Sequence, residues 1–268
     1  MTTLKDYISK IRAEGYRSFT VANVAQDLKL SKSAVISKCK RLKDKGELLS
    51  PVKGFYVIIP PEYQAMGSPP VDELIPLLMK HLSINYYVCL LSAAFYHGSS
   101  HQKPQVFQIM VDRRMRGIHS GKIQTKIIYK KSLKNLSYEN KETKTGYLKV
   151  AYPELTVMDL LLYPKHSGGL NNIATILTEL IEKVDPEKLI QLATTVRQKI
   201  WLQRLGYILE QIEPFDQEPR DLLVDKLKEY LKDKSIVYIP LSPEVPMAGC
   251  PRNRKWKIII NATVEADQ

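Results

Sequence analysis

Cationic and small polar side chains are concentrated in one short segment, residues 29–45. The segment holds seven cations and a single acid, Asp44. Lysine and arginine bind phosphate oxygens, and small residues such as Ser33 and Ser37 allow a close approach to base edges. These residue types predict contact with the phosphates and bases of double-stranded DNA. The cations are Lys29, Lys32, Lys38, Lys40, Arg41, Lys43 and Lys45.

Two short helices joined by a tight turn would position these side chains. Thr20 and Ser31 stand where N-caps belong, and Leu28-Lys29-Leu30 forms the turn between the helices. The pattern predicts a helix-turn-helix. Apolar residues recur at the spacing that packs two short helices across each other, namely Val21, Val24, Ala25, Leu28, Leu30 and Val35.

The second of these helices separates an apolar side from a polar side. At about 100° per residue, its apolar residues fall within a narrow arc, and the polar ones point the other way. A small, polar and cationic outer side suits a helix that enters the major groove. The apolar residues are Val35, Cys39 and Leu42. The outward residues are Ser33, Ser37, Lys40 and Arg41.

A hairpin follows at once and completes the pattern of a winged helix-turn-helix. Residues 48–50 and 55–59 are its predicted strands, and 51–54 form the turn. Lys53 lies at the tip, where a wing would reach a neighbouring phosphate. Winged helices also serve as protein-docking modules, and a charged helix can simply be solvated, so both alternatives stay open. The expected DNA-binding residues are Lys32, Ser33, Ser37, Lys38, Lys40, Arg41 and Lys53.

A second cationic stretch covers residues 113–149. It contains eleven lysines and arginines and only two acids, Glu139 and Glu142. An ordinary solvated surface mixes both signs of charge, so this excess favours an anionic partner. The stretch could extend the DNA contact, hold RNA or an acidic protein, or be a plain soluble surface. The predicted second basic surface comprises Arg113, Arg114, Arg116, Lys122, Lys126, Lys130 and Lys131.

The composition of the whole chain sets broader limits. In 268 residues, 40 Lys and Arg outnumber 28 Asp and Glu, which gives a formal charge of +12 and a pI of about 9.4. This balance favours a polyanionic partner. No apolar run is long enough to span a membrane and no signal peptide is recognisable, so we expect a cytoplasmic protein with no membrane partner. Cys39, Cys89 and Cys250 occur singly, as expected for reduced, mostly buried thiols.

The length and the 44% hydrophobic content favour two domains. We expect a winged helix-turn-helix domain at 1–60, a proline-rich linker at 61–70 and a second domain at 71–268. Strands and helices do not alternate regularly, so the predicted fold class is α+β, with a mixed sheet and a helical cluster. A first helix is predicted at 3–14. The later predicted helices are 71–81, 84–97, 154–162, 170–182, 186–198, 201–212 and 220–231. The later predicted strands are 105–112, 123–129, 147–152, 236–241 and 255–264.

One pair of histidines raises the question of a metal site. His97 and His101 are four residues apart, but Gly98 breaks the helix between them, and no cysteine or acid cluster is close in sequence. Histidine is also common at helix C-termini. We therefore expect no metal site.

Enzyme chemistry also finds little support. Gly98-Ser99 is similar to the opening of a nucleotidyltransferase site, which needs two carboxylates one residue apart on the next strand to hold Mg²⁺. Arg113 and Arg114 follow Asp112 instead. Glu265-Ala266-Asp267 has the right spacing but lies in the last residues of the sequence, where disorder is common. We expect no catalytic residue, no enzyme activity and no cofactor.

Four largely apolar motifs follow one another in the second predicted domain. They are Tyr86-Tyr87-Val88-Cys89-Leu90-Leu91-Ser92-Ala93-Ala94 with His97-Gly98, then Glu154-Leu155-Thr156-Val157-Met158-Asp159-Leu160-Leu161, then Gly168-Gly169-Leu170, and finally Trp256-Lys257-Ile258-Ile259-Ile260-Asn261. In this order they resemble the AbiEi family, the antitoxins of bacterial type IV toxin–antitoxin systems. Members of that family also begin with a winged helix-turn-helix.

The resemblance implies two activities. It implies an autorepressor that binds inverted repeats upstream of its own operon, and an antitoxin that opposes a nucleotidyltransferase toxin encoded beside it. By position, the recognition helix maps to 31–45, the wing to 48–59 and the antitoxin domain to about 71–268. The family uses basic surfaces on both domains, although the lysines of the strand region match none of its motifs. A direct complex with the toxin is not implied.

Two other functions remain open at this point. The chain could be an ordinary transcription regulator whose second domain senses a small ligand, which a buried pocket near Tyr86, Tyr87 and His97 would favour. It could also be a nucleotidyltransferase, which the missing pair of carboxylates disfavours.

Overall fold

A computed structural model describes residues 3–100, 102–120, 122–196 and 198–266 of the chain. The chain divides into two compact units. The first comprises Met1–Tyr87, Gln105–Leu133 and Asn140–Lys149, and the second comprises Val88–Pro104, Lys134–Glu139 and Val150–Gln268. Over the described ranges, no helix is both long enough and apolar enough to cross a membrane.

The first unit begins with the helices and hairpin that the sequence predicts, plus one strand that it does not. Strand β1 pairs antiparallel with β3, so the sheet order is β1-β3-β2. β1 has only three residues, too few for an alternating pattern to be recognised in the sequence. The elements are α1 (Leu4–Ala13), β1 (Ser18–Thr20), α2 (Val21–Asp27), α3 (Lys32–Asp44), β2 (Leu48–Val52) and β3 (Phe55–Ile58).

One apolar cluster holds these elements together. The core side of α3 packs against α1, α2 and the small sheet, and Phe19 and Tyr56 stack with ring centroids 5.7 Å apart. Each of these short elements has too few residues to be stable alone, so their shared apolar cluster must stabilise all of them. The cluster includes Leu4, Tyr7, Ile11, Phe19, Val21, Val24, Val35, Cys39, Leu42, Leu48, Tyr56 and Ile58.

The first unit continues past residues 61–70, where the sequence predicts a linker. Pro61–Met66 form a 3₁₀ helix, and α4 (Val71–Leu82) follows. The His81 ring of α4 stacks on the Phe55 ring of β3, with centroids 4.1 Å apart. The linker and the boundaries 1–60 and 71–268 stay predictions.

A six-stranded sheet has the order β6-β7-β5-β4-β9-β8. β5 pairs parallel with β7, β4 pairs parallel with β9, and β6 pairs antiparallel with β7. The sheet is therefore mixed, and the predicted α+β class is confirmed. Its strands are β4 (Tyr86–Val88), β5 (Phe107–Val111), β6 (His119–Ser120), β7 (Ile123–Tyr129), β8 (Tyr138–Thr143) and β9 (Gly146–Ala151).

The predicted helix at 84–97 is wrong in its first half. This segment forms strand β4 and then α5 (Leu90–Tyr96), and Leu90 at the junction has a left-handed backbone with φ of 53°. Tyr86, Tyr87 and Val88 are all buried. A short apolar run that is buried on every side lacks the period that separates strand from helix, which explains the wrong prediction.

The second unit contains the helical cluster that the sequence predicts. Short 3₁₀ turns at Pro164–His166 and Ile181–Lys183 adjoin α7, which has Gly168 as its N-cap and Gly169 as its first residue. The predicted extension of a helix to residue 198 is wrong at its end, since α8 stops earlier, and residue 197 lies outside the described residues. The helices are α6 (Pro153–Leu162), α7 (Gly169–Leu180), α8 (Pro186–Thr195), α9 (Ile200–Leu209) and α10 (Gln217–Lys232).

The strands at 236–241 and 255–264 are much shorter than the sequence predicts. β10 (Ile239–Pro240), β11 (Arg252–Asn253) and β12 (Ile258–Ile259) form a small sheet in the order β10-β12-β11. Two buried polar side chains of α9 donate to backbone carbonyls of this region, and one of them is Arg204, whose Nη2 donates to the carbonyl of Pro240 at 3.2 Å. Gln203 Nε2 donates to the carbonyls of Val237 and Trp256 at 2.9 and 3.0 Å.

Gly206 lets the backbone of α9 lie against the buried ring of Trp256. A Cβ at this position would overlap that ring. A Gly→Ala change inside a helix ordinarily stabilises it by up to about 1 kcal/mol. We expect Gly206→Ala to lower the free energy of unfolding by about 1–3 kcal/mol instead, because the core is overpacked. Urea unfolding measures this change. In a double-mutant cycle, Trp256→Leu should remove most of the cost of Gly206→Ala, and strictly additive losses would contradict the overlap.

Candidate nucleic-acid interface

Helix α3 begins at a side-chain cap. The Ser31 hydroxyl accepts a hydrogen bond from the backbone N–H of Ala34 at 3.2 Å, and the Ser33 hydroxyl lies 3.0 Å from that of Ser31. Thr20 caps α2 in the same way, by accepting from the N–H of Asn23 at 3.1 Å. Both predicted N-caps are therefore confirmed. A capped first turn fixes where α3 starts and which side chains face outward.

The turn between α2 and α3 depends on one strained residue. Lys29 has a left-handed backbone, with φ of 52°. The next N–H, that of Leu30, donates to the carbonyl of Ala25 at 3.0 Å and closes the end of α2. A left-handed conformation costs a residue with a Cβ roughly 1–2 kcal/mol, which the packing of the two helices must offset.

The inward side of α3 matches the prediction. Val35, Cys39 and Leu42 are buried in the apolar cluster. Burial raises the pKa of the Cys39 thiol to about 11, so it stays protonated and unreactive at neutral pH. Cys39, Cys89 and Cys250 form no disulfide bonds.

The outward side of α3 is exposed, as the sequence predicts, but the structure divides it into two parts. Lys38 and Arg41 line a groove of about 540 Å³ beside α1, together with Lys5. Ser33, Ser37 and Lys40 lie on the other part, and Lys32 is exposed at the first residue of the helix. The small side chains thus lie in the first half of α3. Cations lie next to them and continue toward the C-terminal end of the helix.

The cations of this face are free of ion pairs. Within the described ranges, no acidic side chain pairs with any of them. In the second unit, by contrast, Lys226 pairs with Glu187 at 2.6 Å and Lys165 with Glu244 at 3.0 Å. Unpaired cations retain their full charge for phosphate groups, so they suit a polyanion. The unpaired residues are Lys32, Lys38, Lys40, Arg41 and Lys53.

The wing places Lys53 at an exposed tip. β2 and β3 pair from Leu48 opposite Ile58 to Val52 opposite Phe55, with an irregular register in between. β2 is longer than predicted, so the turn is only Lys53-Gly54, and Gly54 has a φ of 80°. Glycine adopts this φ without strain, and a tight turn needs it here.

The second predicted basic surface lies on strand β7 and on the segments around it. β7 alternates between buried and exposed residues, and Lys126 is on its exposed side. Arg113, Arg114 and Arg116 lie in the connection from β5 to β6, and Arg114 stacks on the Tyr129 ring at 4.8 Å. All seven of its residues belong to the first unit, namely Arg113, Arg114, Arg116, Lys122, Lys126, Lys130 and Lys131.

Contacts at both ends hold the connection that carries the three arginines. At its end, the N–H of Ile118 donates to the Thr125 hydroxyl at 2.7 Å, and Gly117 approaches the Thr125 carbonyl too closely to allow a Cβ. At its start, Asn85 Nδ2 donates to Asp112 at 2.8 Å. β6, which follows, contacts β2 of the wing. The two ends of the arginine segment are therefore fixed, and the strand that follows it contacts the wing. The sequence did not predict β6, Gly117 or the Tyr129 contact.

The histidine pair that raised the question of a metal site is only partly described. His97 is buried, and its Nε2 donates to the carbonyl of Ala151 at 2.7 Å, because a carbonyl oxygen can only accept. Its Nδ1 lies 4.0 Å from Glu139 Oε1. His101 lies outside the described residues, as does Asp267. Among the residues that the structure describes, no three potential ligands are grouped closely enough to hold a metal ion.

A buried pocket near Tyr86, Tyr87 and His97 would favour the alternative function of a ligand sensor. Both tyrosines are buried in β4, and the ring of His97 is hydrogen-bonded at the end of α5. Each of these side chains is buried within its own unit.

Residues 86–211 match the family model of the AbiEi antitoxin C-terminal domain. The AbiEi match confirms the family resemblance over this segment, which includes the first three of the four motifs. It supports an antitoxin role in a toxin–antitoxin system and favours a regulatory protein over an enzyme. Trp256-Lys257-Ile258-Ile259-Ile260-Asn261 lies outside the matched residues.

A crystal structure with a similar fold is that of the RV2827C protein from Mycobacterium tuberculosis. The two chains share 16% sequence identity with a TM-score of 0.66, over 94% of this chain and 89% of that one. At this identity the likeness concerns the fold. A search of curated protein sequences finds no significant match.

The charged residues of the AbiEi-matching motifs have structural contacts. Glu154 is only 5% exposed, and its Oε1 accepts from the backbone N–H of Asp185 at 2.8 Å. Burial raises the pKa of this carboxyl group. Asp185 caps α8, so the glutamate of the motif joins α6 to the start of α8. Asp159 of the same motif is fully buried.

Removal of the α3 cap should destabilise the first unit. We expect Ser31→Ala to lower the free energy of unfolding by about 1 kcal/mol, because the N–H of Ala34 loses its side-chain acceptor. Chemical denaturation followed by circular dichroism measures this. Ser37→Ala is the matched control, since Ser37 is exposed on the same helix, and we expect a change within about 0.5 kcal/mol. Equal losses for the two variants would show that Ser31 does not cap α3.

Proposed function

We propose that the chain is a DNA-binding antitoxin that represses its own operon and opposes a nucleotidyltransferase toxin. In this proposal α3 enters the major groove, and Lys53 of the wing contacts a neighbouring phosphate. Inverted repeats in the chain's own promoter are the proposed site. The protein need not form a stable complex with the toxin for either activity.

The proposal of DNA binding rests on one observation. Helix α3 is capped, and its exposed side carries cations that have no acidic partner in the described part of the chain. Lys40 lies beside the small side chains of Ser33 and Ser37, and Lys38 and Arg41 lie along one flank. Cations that bind phosphates fix the helix on the duplex, and short side chains let it approach the base edges.

We assign the second basic surface to the same DNA contact. It belongs to the first unit with the winged helix-turn-helix, and β6 contacts β2 of the wing. Arg113, Arg114 and Arg116 would then bind phosphates beyond those that the wing reaches. Contact with a longer stretch of backbone releases more counterions and strengthens binding at low salt.

The antitoxin part of the proposal rests on the AbiEi match at residues 86–211. We propose that the part of this region that lies in the second unit provides protection against the toxin and that the first unit provides repression. The gene beside this one would encode the toxin, as the family resemblance implies.

Removal of two α3 cations should abolish operator binding without unfolding the protein. We expect Lys40→Ala with Arg41→Ala to lose the gel shift on the DNA upstream of the chain's own gene, since two phosphate contacts disappear. The thermal midpoint should be almost unchanged, because both side chains are exposed.

The matched control is Lys226→Ala with Lys228→Ala, which removes the same charge from α10, where both lysines pair with acids. This control should bind DNA like the wild type. The affinity of the wild type should fall steeply with salt, by roughly one decade per decade of salt for each phosphate bound. Undiminished binding by the α3 double variant would contradict the assignment of α3 as the recognition helix.

Charge reversal of the second basic surface tests its part in DNA binding. We expect Arg113→Glu, Arg114→Glu and Arg116→Glu together to weaken operator binding while circular dichroism stays unchanged, because an attractive patch becomes repulsive to phosphate. Protection from the toxin is measured side by side. The control reverses three exposed cations of the second unit, Lys232, Arg252 and Arg254. Loss of protection with intact DNA binding would assign the surface to the toxin, and wild-type behaviour in both assays would make it a plain soluble surface.

A further inference from the structure

One large apolar side chain is exposed on α3. Ile36 is 46% exposed, whereas the other exposed positions of this helix carry Ser, Lys, Arg or Asp. Single exposed apolar residues are common on protein surfaces and by themselves indicate nothing. The position of this one on the helix makes it informative.

Ile36 belongs to the stripe that the proposed DNA contact uses. Ser33, Ile36, Ser37 and Lys40 are spaced by three and four residues, so they lie next to one another along one side of α3. Ile36 and Ser37 form the middle of the stripe, with Lys40 one turn further along the helix. The DNA-binding residues predicted from the sequence include the polar members of this stripe but not Ile36.

The polar members of the stripe can specify little by themselves. The Ser33 hydroxyl lies 3.0 Å from the Ser31 hydroxyl that caps the helix, so it already has a hydrogen-bond partner. The Ser37 hydroxyl can both donate and accept, so it fits several base edges. Lys40 is a flexible point charge. Within this stripe, Ile36 is the side chain with the most restricted fit to a base edge.

We infer that Ile36 is a specificity-determining residue that contacts the C5-methyl group of a thymine in the major groove. This inference rests on the proposed DNA binding and names one feature of the DNA. The thymine methyl is the one apolar group that a base pair presents in the major groove, and apolar side chains recognise it by excluding water. An exposed β-branched side chain has few rotamers on a helix, so it offers a well-defined surface for this contact.

Uracil interference tests the contact without changing hydrogen bonds, because uracil lacks only the methyl group of thymine. Duplexes of the DNA upstream of the chain's own gene are made with uracil at random thymine positions. The full chain divides them into bound and free fractions, and cleavage at uracil locates each position. We expect interference at one or two thymines per half-site, with binding about fourfold weaker for each lost methyl contact.

Two variants distinguish Ile36 from the rest of the stripe. Ile36→Ala should still bind, but it should no longer distinguish uracil from thymine at those positions. Ser37→Ala should retain the interference. The matched control is Leu222→Ala, an exposed apolar residue of α10, and it should behave like the wild type. Ile36→Ala changes an exposed position to a better helix former, so folding should not suffer.

The outcomes separate this inference from the proposed function. If the wild type binds the DNA but Ile36→Ala shows the same interference, or if no thymine shows interference, Ile36 has no such role and the proposed function stands. If the wild type does not bind this DNA at all, the proposed function fails and the inference fails with it.

Discussion

The burial of one side of α3 is the constraint on which the first unit depends. Val35, Cys39 and Leu42 must face the apolar cluster, and this fixes the rotation of the helix about its own axis. The polar and cationic positions then lie on the opposite side of the helix and face water. The same cluster secures β3, and through β3 both β1 and the wing. Rotation of α3 by one residue would expose its apolar side and move the lysines toward the core, which the cost of burying unpaired charge prevents.

Charge on α3 and at the tip of the wing is arranged differently from the ion pairs of the second unit, and from the Lys5–Glu47 and Lys10–Glu14 pairs of the first. In the second unit, lysines such as Lys226 and Lys255 pair with glutamates. On α3 and at the tip of the wing, the lysines have no such partners among the described residues. Exposed ion pairs contribute little to stability, so their absence from α3 costs the fold little. The repulsion that remains on α3 favours an anionic partner, and it is the physical basis of the proposed contact with DNA.

Much of the fold was predictable where an apolar period was complete. α3, with its cap and both of its faces, followed from residues 31–44, and β7 matched its predicted bounds. Prediction was wrong for Tyr86, Tyr87 and Val88, whose burial on every side removes the period. It missed β8 for the opposite reason, because its charged residues suit the exposed edge of a sheet and resemble a loop. In the candidate site, the residue types were predictable from the sequence. The groove that Lys38 and Arg41 line was not predictable, because it depends on the position of α1.

The second basic surface shows why residue types alone could not describe this site. Three arginines within four residues could lie on any loop. The place where their connection ends depends on Gly117, which lacks a side chain so that the chain can approach Thr125, and on the hydrogen bond between Ile118 and the Thr125 hydroxyl. Neither residue is charged, and neither belongs to a motif. The two hold the end of an irregular connection against β7, so the cations that precede them are anchored at one end to a strand of the sheet.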